Sequence, residues 1–331
     1  MQASLDLSII IVNWRSVEFT NQCVASIRQH TSGLAYEIIV VDNASFDGCD
    51  KVLRESAPEV IYRQSEKNLG FAKANNLGFE TARGASLLFL NPDTVVVGTA
   101  IVRLHDALQR LPGAGAVGGR LLNGDGTLQT SCIQAFPTIV NQMLASDFLV
   151  NRWPEAGMWG AAPLYRQNPE PEEVQVISGA CLMVRREVFE KIGGFSEDYF
   201  MYAEDLDLCY KVRSAGWKNY YVPEAVVIHF GGTSSKQTAS NFSSVMMRES
   251  VWRFLRKTRG GFYGSGYRCA MLASALCRLG ALGLYLPVQA WRGRQPACRS
   301  SLRKWWAILL WSLRAGSMGK TTRIPPDLRS S

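Results

Sequence analysis

The chain reads as α/β, a parallel sheet covered on both faces, followed by a helical C-terminal extension. Three observations carry this reading. Short runs of β-branched residues and Leu recur without polar alternation, the mark of strands buried on both faces. Stretches with helical spacing separate them. Charge then divides the chain: residues 1–240 hold 20 Lys+Arg against 26 Asp+Glu, a balance of −6, and residues 241–331 hold 16 against 2, a balance of +14.

Leu7–Val12 (LSIIIV) is the first buried strand, and Val17–His30 is a helix with Phe19, Cys23 and Ile27 on one stripe. Glu37–Val41 (EIIVV) is the second strand and ends at Asp42-Asn43. Val60–Arg63 and Leu87–Leu90 (LLFL) follow, the latter ending at Asn91-Pro92-Asp93-Thr94. Thr99–Leu111 is helical and Ala114–Val117 is a strand. Residues 122–174, with scattered Pro, Gly and Trp, form long connections over the sheet. Val176–Val184 (VISGACLMV) returns to strand character. Asp205–Ala215 is a helix stopped by Gly216. Tyr220–Val222 and Ala225–Phe230 are strands that close the region. Met246–Thr258 is a basic helix, and Cys269–Trp291 and Trp305–Leu313 are apolar stretches.

A chain of 331 residues with 47% hydrophobic and 19% charged residues is neither disordered nor fibrous. None of the eight cysteines forms a C-x-x-C pair, which excludes a zinc ribbon or a thioredoxin-like motif. Met1–Asp6 leads straight into a strand with no signal peptide, which points to a reducing, cytosolic compartment. Gly113–Gly118 (GAGAVG) matches G-x-G-x-x-G, but a helix precedes it and a strand follows. A dinucleotide site needs the reverse order, so this segment is a turn and an oxidoreductase reading is weakened.

In an open parallel sheet, ligands gather at the carboxyl ends of the strands. Asn13, Asp42-Asn43 and Asn91-Pro92-Asp93 all sit at such ends. Each alone is an ordinary turn former; three on one edge make a site. Asn68–Gly78 joins a turn to a small-residue helix start; taken alone it reads as a loop into a helix, though Gly70 would let the backbone come close to a ligand. Glu204, Asp205 and Asp207 cluster at a helix start, where the dipole and backbone N–H groups favour ionised carboxylates. Capping explains one such acid better than three, and an ionised carboxylate is what removes a proton from an attacking hydroxyl. His229 follows an apolar run and precedes Gly231-Gly232-Thr233-Ser234. A lone histidine is more often a satisfied structural residue than a ligand, but one His with one Asp can hold a divalent cation where a substrate diphosphate completes the shell.

Taken in order, these segments resemble the family 2 glycosyltransferases, especially the bacterial rhamnosyltransferase-like branch. The carrying segments are SIIIVNW (Ser8–Trp14), IVVDNAS (Ile39–Ser45), Asn68–Gly78, FLNPDT (Phe89–Thr94), SGACLMVRR (Ser178–Arg186), Gly193–Trp217 with its EDLDLC stretch, and HFGGTS (His229–Ser234). The resemblance spans roughly residues 5–235. It implies a GT-A, Rossmann-like fold over residues 1–240; charge and apolar runs, not the resemblance, make residues 241–331 a basic, apolar, membrane-associating region. The resemblance also implies a nucleotide-sugar donor and Mg²⁺ or Mn²⁺. Carried over residue by residue, Asp42 binds the donor base with Asn13 nearby, and Gly179 and Ala180 line the donor-sugar pocket. Gly70, Asn91 and Glu204 complete the donor-binding set. Asp93 ends the metal-binding D-x-D motif, whose first Asp is here Asn91, and His229 is a further metal ligand. Asp205 is the catalytic base.

The Q-x-x-R-W motif of the family's processive polymerases is absent, since Arg152-Trp153 lies before Asp205 and lacks the Gln. The expected activity is therefore an inverting, metal-dependent, single sugar transfer in cell-surface polysaccharide synthesis. L-Rhamnose from dTDP-rhamnose is the donor that the branch implies, and a polyprenyl-diphosphate-linked saccharide is the acceptor that suits the tail. The expected location is the cytoplasmic face of the inner membrane, peripheral or monotopic. An anionic membrane surface is the expected partner, and no nucleic acid is. The alternative is a non-catalytic, membrane-bound carbohydrate-binding or scaffold protein on a degenerate GT-A fold. In the tail, Arg278 falls near the middle of Cys269–Trp291, where spanning costs about 2.5–3.5 kcal/mol. Trp305–Leu313 is too short to span, and its tryptophans with Arg303-Lys304 suit the headgroup boundary; the alternative is a helical bundle or oligomer interface that buries the same apolar faces.

Overall fold

The structure is a computed structural model; it describes residues 5–231, 240–291 and 296–314. β1 (Leu7–Asn13) is buried along its whole length and lies between β2 (Tyr36–Asp42) and β4 (Ser86–Leu90), both parallel to it. β3 (Ile61–Gln64) extends the sheet beyond β2. α1 (Val17–His30) occupies the span that its apolar spacing predicts and buries Cys23, Val24 and Ile27. α2 (Cys49–Ser56) and α3 (Phe71–Phe79) connect the outer strands. β5 (Thr94–Val96), α4 (Ala100–Arg110) and β6 (Ala114–Leu122) follow.

The sheet continues β4–β10–β6–β11–β5, where β10 is Cys181–Arg185 and β11 is Lys218–His229. β10 runs antiparallel to both neighbours, so the expectation of a wholly parallel sheet is corrected to a mixed one. An apolar run states that a strand is buried on both faces, not which way it runs. Val176–Val184 is also corrected: it divides into β9 (Val176–Ile177) and β10 around the turn Ser178–Ala180. β9 pairs with β7 (Ile133–Gln134) in a small separate sheet. The two runs Tyr220–Val222 and Ala225–Phe230 form one strand, β11, with a register shift between Val222 and Val226 at Pro223. A proline cannot donate to a ladder, which suits it to such a break.

GAGAVG is a turn only at Gly113; Ala114 onward is strand β6. Its later glycines permit close packing. A Cβ at Gly118 would meet Ile177 at 2.0 Å, and one at Gly119 would meet the Ala225 carbonyl oxygen at 2.4 Å. The connection from β7 to β10 carries α5 (Ile139–Leu144), α6 (Asp147–Arg152) and β8 (Glu172–Val174). α7 (Arg186–Lys191) and α8 (Glu204–Ser214) complete this half.

α9 (Ser240–Arg259), α10 (Gly261–Trp291) and α11 (Pro296–Leu313) pack on one another and on the sheet half. Val251, Trp252, Phe254 and Leu255 of α9 join the same core as the strands. Phe254 lies against Phe136 and Tyr210, with ring centroids 6.1 and 5.5 Å away. Two buried acids hold the junction. Glu249 accepts hydrogen bonds from Trp311 (2.9 Å) and Arg253 (3.0 Å), which ties α9 to α11. Asp207 of α8, wholly buried, accepts from Lys257 Nζ at 2.9 and 3.1 Å. The domain boundary placed after residue 240 follows residues 232–239, which lie outside the described residues, as does the Gly232–Ser234 part of HFGGTS.

Among the described residues no helix is long and apolar enough to cross a membrane. Arg278, the charge that argued against spanning, donates to the carbonyls of Met143 and Ala145, both at 3.1 Å, and lies over the Trp305 ring. It seats α10 on the α5–α6 corner. The outward faces also carry exposed apolar side chains. They include Val140, Leu144, Phe148 and Trp153 on and beside α5–α6, Leu276 and Leu284 on α10, and Trp306, Leu310 and Leu313 on α11.

Candidate active site

The carboxyl ends of β1, β2 and β4, the turn before β10 and the start of α8 surround a cleft of about 620 Å³, a size that suits a small-molecule ligand. Helix α9 closes one side with Met247, Arg248 and Val251.

Asp205 lies in the wall of this cleft. Its Oδ2 accepts from the Gly179 N–H at 2.9 Å and its Oδ1 from the Leu206 N–H at 2.8 Å. Glu204 beside it is buried, and its Oε2 has no hydrogen-bond partner. Burial, then the Asp205 charge, pushes Glu204 up to about 8. Burial also raises Asp205, against the lowering effect of its backbone donors. Burial thus favours the protonated form at Glu204, and the two N–H donors favour the charged form at Asp205. The expectation that every acid at this helix start is ionised is corrected accordingly. Asp207 faces away, bonded to Ser196, Tyr199 and Lys257. The segment entering α8 is strained: Tyr202 (φ 69°) and Ala203 (φ 63°) are both left-handed. Such backbone costs on the order of 1–3 kcal/mol per residue and concentrates at functional sites.

Across the cleft, β11 pairs with β5 so that His229 lies opposite Thr94. This pairing sets His229 Nε2 3.3 Å from Asp93 Oδ1 and 3.2 Å from Asn91 Nδ2. Two ligands on adjacent corners of an octahedral Mg²⁺, each at about 2.1 Å, are about 3 Å apart. The Asp93–His229 pair fits that spacing. No group of three or more His, Cys, Asp or Glu side chains suited to a metal exists among the described residues, so a cation here needs oxygens from a substrate and water.

The other expected residues divide into two sets. Gly179 and Ala180 line the cleft, and the turn they form presents Gly179 N–H to Asp205. Gly70 also lines it, but its missing Cβ makes room for the Phe200 carbonyl oxygen, 2.3 Å from where that Cβ would lie. Asn13 and Asp42 are nearly sealed, at 0% and 1% exposure. Asn13 accepts from Ser16 and Thr20 and donates to Asp47. Asp42 accepts from the Ser45 N–H (2.6 Å) and the Tyr62 hydroxyl (2.9 Å). Both organise the loop after β2, whereas Asn43 lines the cleft and holds the Asn68–Gly70 loop through Leu69 N–H. Sequence reasoning missed Tyr202 and Arg248. Nothing local marks Arg248 among the other basic residues of the tail.

Residues 8–193 match the family model described as Glycosyl transferase family 2, and residues 159–324 match Glycosyl transferase family group 2. The chain is 32% identical over 254 residues to an N-acetylglucosaminyl-diphospho-decaprenol L-rhamnosyltransferase of Mycobacterium tuberculosis, covering 73% of this chain and 81% of that protein. It is 31% identical over 214 residues to the low-salt glycan biosynthesis hexosyltransferase Agl10 of Haloferax volcanii, covering 63% and 62%. Among solved structures it is similar to a mannosyltransferase of Pyrobaculum calidifontis in complex with GDP-Man and Mn²⁺, with a TM-score of 0.58 and 18% identity, covering 94% and 86% of the two chains. That likeness bears out the GT-A fold.

Proposed function

Because this chain belongs to glycosyl transferase family 2 and is a glycosyltransferase of the GT-A fold, we propose that it moves one sugar, with inversion, from a nucleotide-sugar to a lipid-linked saccharide. The similarity to named transferases and the presence of Asp93, Asp205 and His229 in one cleft favour catalysis over the non-catalytic alternative. The observation that carries the reading is that Asp205 and the Asp93–His229 pair line one cleft.

In this reaction Asp205 takes the proton of the acceptor hydroxyl as that oxygen forms its bond to the anomeric carbon. The bond from the anomeric carbon to the diphosphate breaks on the opposite face, and its electron pair leaves with the nucleoside diphosphate. Asp93 and His229 would hold Mg²⁺ or Mn²⁺, which when bound offsets the charge on a departing diphosphate. Glu204, protonated, leaves Asp205 as the one charged carboxylate of the pair. Donor-side roles for Asn13 and Asp42 act through the loop after β2 that they shape. Gly70, Asn91, Gly179 and Ala180 form the wall that faces the donor.

The M. tuberculosis relative supports L-rhamnose as the sugar and an N-acetylglucosaminyl-diphospho-polyprenol as acceptor; dTDP-rhamnose is the donor that the resemblance implies. Arg248, at the edge of the cleft, suits the acceptor diphosphate by charge. The outward apolar side chains of α5–α6, α10 and α11, with the +14 balance of residues 241–331, support docking on an anionic membrane at its cytoplasmic face. Calorimetry of dTDP-rhamnose binding with Mn²⁺ tests the site. Asp93→Ala and His229→Ala should each lower the Mn²⁺-dependent affinity at least about tenfold. Unchanged affinity in both would remove the metal assignment.

A further inference from the structure

We propose that Gln129 is a positioning residue that fixes His229 as its Nδ1–H tautomer, leaving the Nε2 lone pair facing Asp93. The inference rests on the reading of Asp93 and His229 as the cation-holding pair.

Its basis is a chain of hydrogen bonds whose direction is set from one end. After β6, the chain turns through Asn123–Thr127, closed by Gly126 N–H to the Asn123 carbonyl at 2.8 Å and Asn123 N–H to the Thr127 carbonyl at 2.8 Å. Asp125 Oδ1 accepts from both the N–H (3.0 Å) and the hydroxyl (2.6 Å) of Thr127. These donors hold the Asp125 carboxyl below its usual range, so it is an acceptor only. The Thr127 hydroxyl has then spent its one hydrogen. Toward Asn123 it accepts, from Nδ2 at 2.9 Å. That orients the Asn123 amide with Oδ1 toward Gln129, from whose Nε2 it accepts at 3.1 Å. Gln129 is thereby turned with Oε1 toward His229 Nδ1, 2.7 Å away. A carbonyl oxygen cannot donate, so Nδ1 carries the hydrogen.

On the other side of the ring the Asn91 amide agrees, while the Asp93 carboxylate, an acceptor 3.3 Å from Nε2, draws a hydrogen there that a bound cation would replace. Asn91 Nδ2, a donor, stands 3.2 Å from Nε2. Both amides thus assign the same tautomer, and Nε2 is the nitrogen 3.3 Å from Asp93 Oδ1. An imidazole binds a cation through a lone pair, and the partner of its other nitrogen decides which lone pair is available. Gln129 does not line the cleft; it acts only through His229.

The test uses the full-length protein labelled with ¹⁵N-histidine, in alkaline buffer, with Mn²⁺ as the probe and saturating dTDP present to supply the diphosphate oxygens that a cation here needs. Wild type should show His229 Nδ1 as the protonated nitrogen. Gln129→Met, which removes the acceptor, should shift the ring toward the Nε2–H form and raise the Mn²⁺ concentration that half-broadens the His229 signals about tenfold or more. Gln129→Glu, which keeps an acceptor oxygen, should retain the wild-type ring pattern. A wild-type Nε2–H ring, or a Gln129→Met ring identical to wild type, overturns the proposal. A purely structural role would lower the melting temperature of Gln129→Met without changing the tautomer, and that result also overturns it. Should Mn²⁺ leave the wild-type signals sharp, the cation reading fails, and the ring pattern still decides the role of Gln129 separately.

Discussion

Replacing Glu204 by Gln keeps the shape of the side chain and removes its ionisation. Glu204 is buried, its Oε2 lacks a partner, and its carboxyl sits at about 8 in place of the ordinary 4.5. Between those two values the folded chain holds a proton that the unfolded chain has released. Raising the pH through this window therefore favours unfolding, by up to about 1.4 kcal/mol per unit. Across the window wild type should lose on the order of 3–5 kcal/mol that Glu204→Gln does not lose. Urea unfolding of both proteins at about pH 5 and about pH 8 reads this difference directly. Near neutral pH the variant should still transfer sugar, because one neutral side chain replaces another. A stability difference that stays constant between the two pH values would refute the protonated Glu204, and with it the assignment of the charge to Asp205.

Two further perturbations probe the C-terminal helices. Lys257→Met leaves Asp207 buried with Lys211 Nζ at 3.9 Å as its remaining cation, and should cost about 2–3 kcal/mol in urea unfolding; an unchanged midpoint would mean that α9 is not fastened there. In liposome flotation the full-length chain should rise with anionic vesicles at low salt and be released by high salt, while Phe148→Asp together with Trp306→Glu should weaken binding. A chain that stays with the soluble fraction at low salt would remove the membrane partner. Point variants suit this assay better than a chain cut at residue 240, which would uncover Phe136, Tyr210 and Asp207 where α9 packs.

Local features of the sequence picked out many of the residues that line the cleft. Asn91 and Asp93 follow a buried strand, and Glu204-Asp205 opens a helix; both are visible within a few residues. What escaped depends on pairing between distant segments. Strand β10 reads as buried, but its reversed direction is set by the connection that leads into it. Asn13 and Asp42 stand at strand ends, as expected, yet their hydrogen bonds turn inward to the loop after β2. In the sequence Met246–Thr258 reads only as a basic helix; the fold reveals that Phe254 meets Phe136 and that Arg248 borders the cleft. Gln129 carries no signal, because its effect on His229 passes through a turn whose hydrogen bonds appear only in three dimensions.

The central claim is that Asp205 is the base for transfer, and Asp205→Asn tests it most directly. The amide preserves size and loses basicity. With dTDP-rhamnose, Mn²⁺ and a GlcNAc-diphosphate-polyprenol acceptor, single-turnover transfer by the variant should fall by about 10²–10⁴-fold, the range associated with a positioned general base. Donor affinity, measured by calorimetry on the same preparation, should stay within a few-fold of wild type. Transfer by Asp205→Asn at close to the wild-type rate would contradict the account.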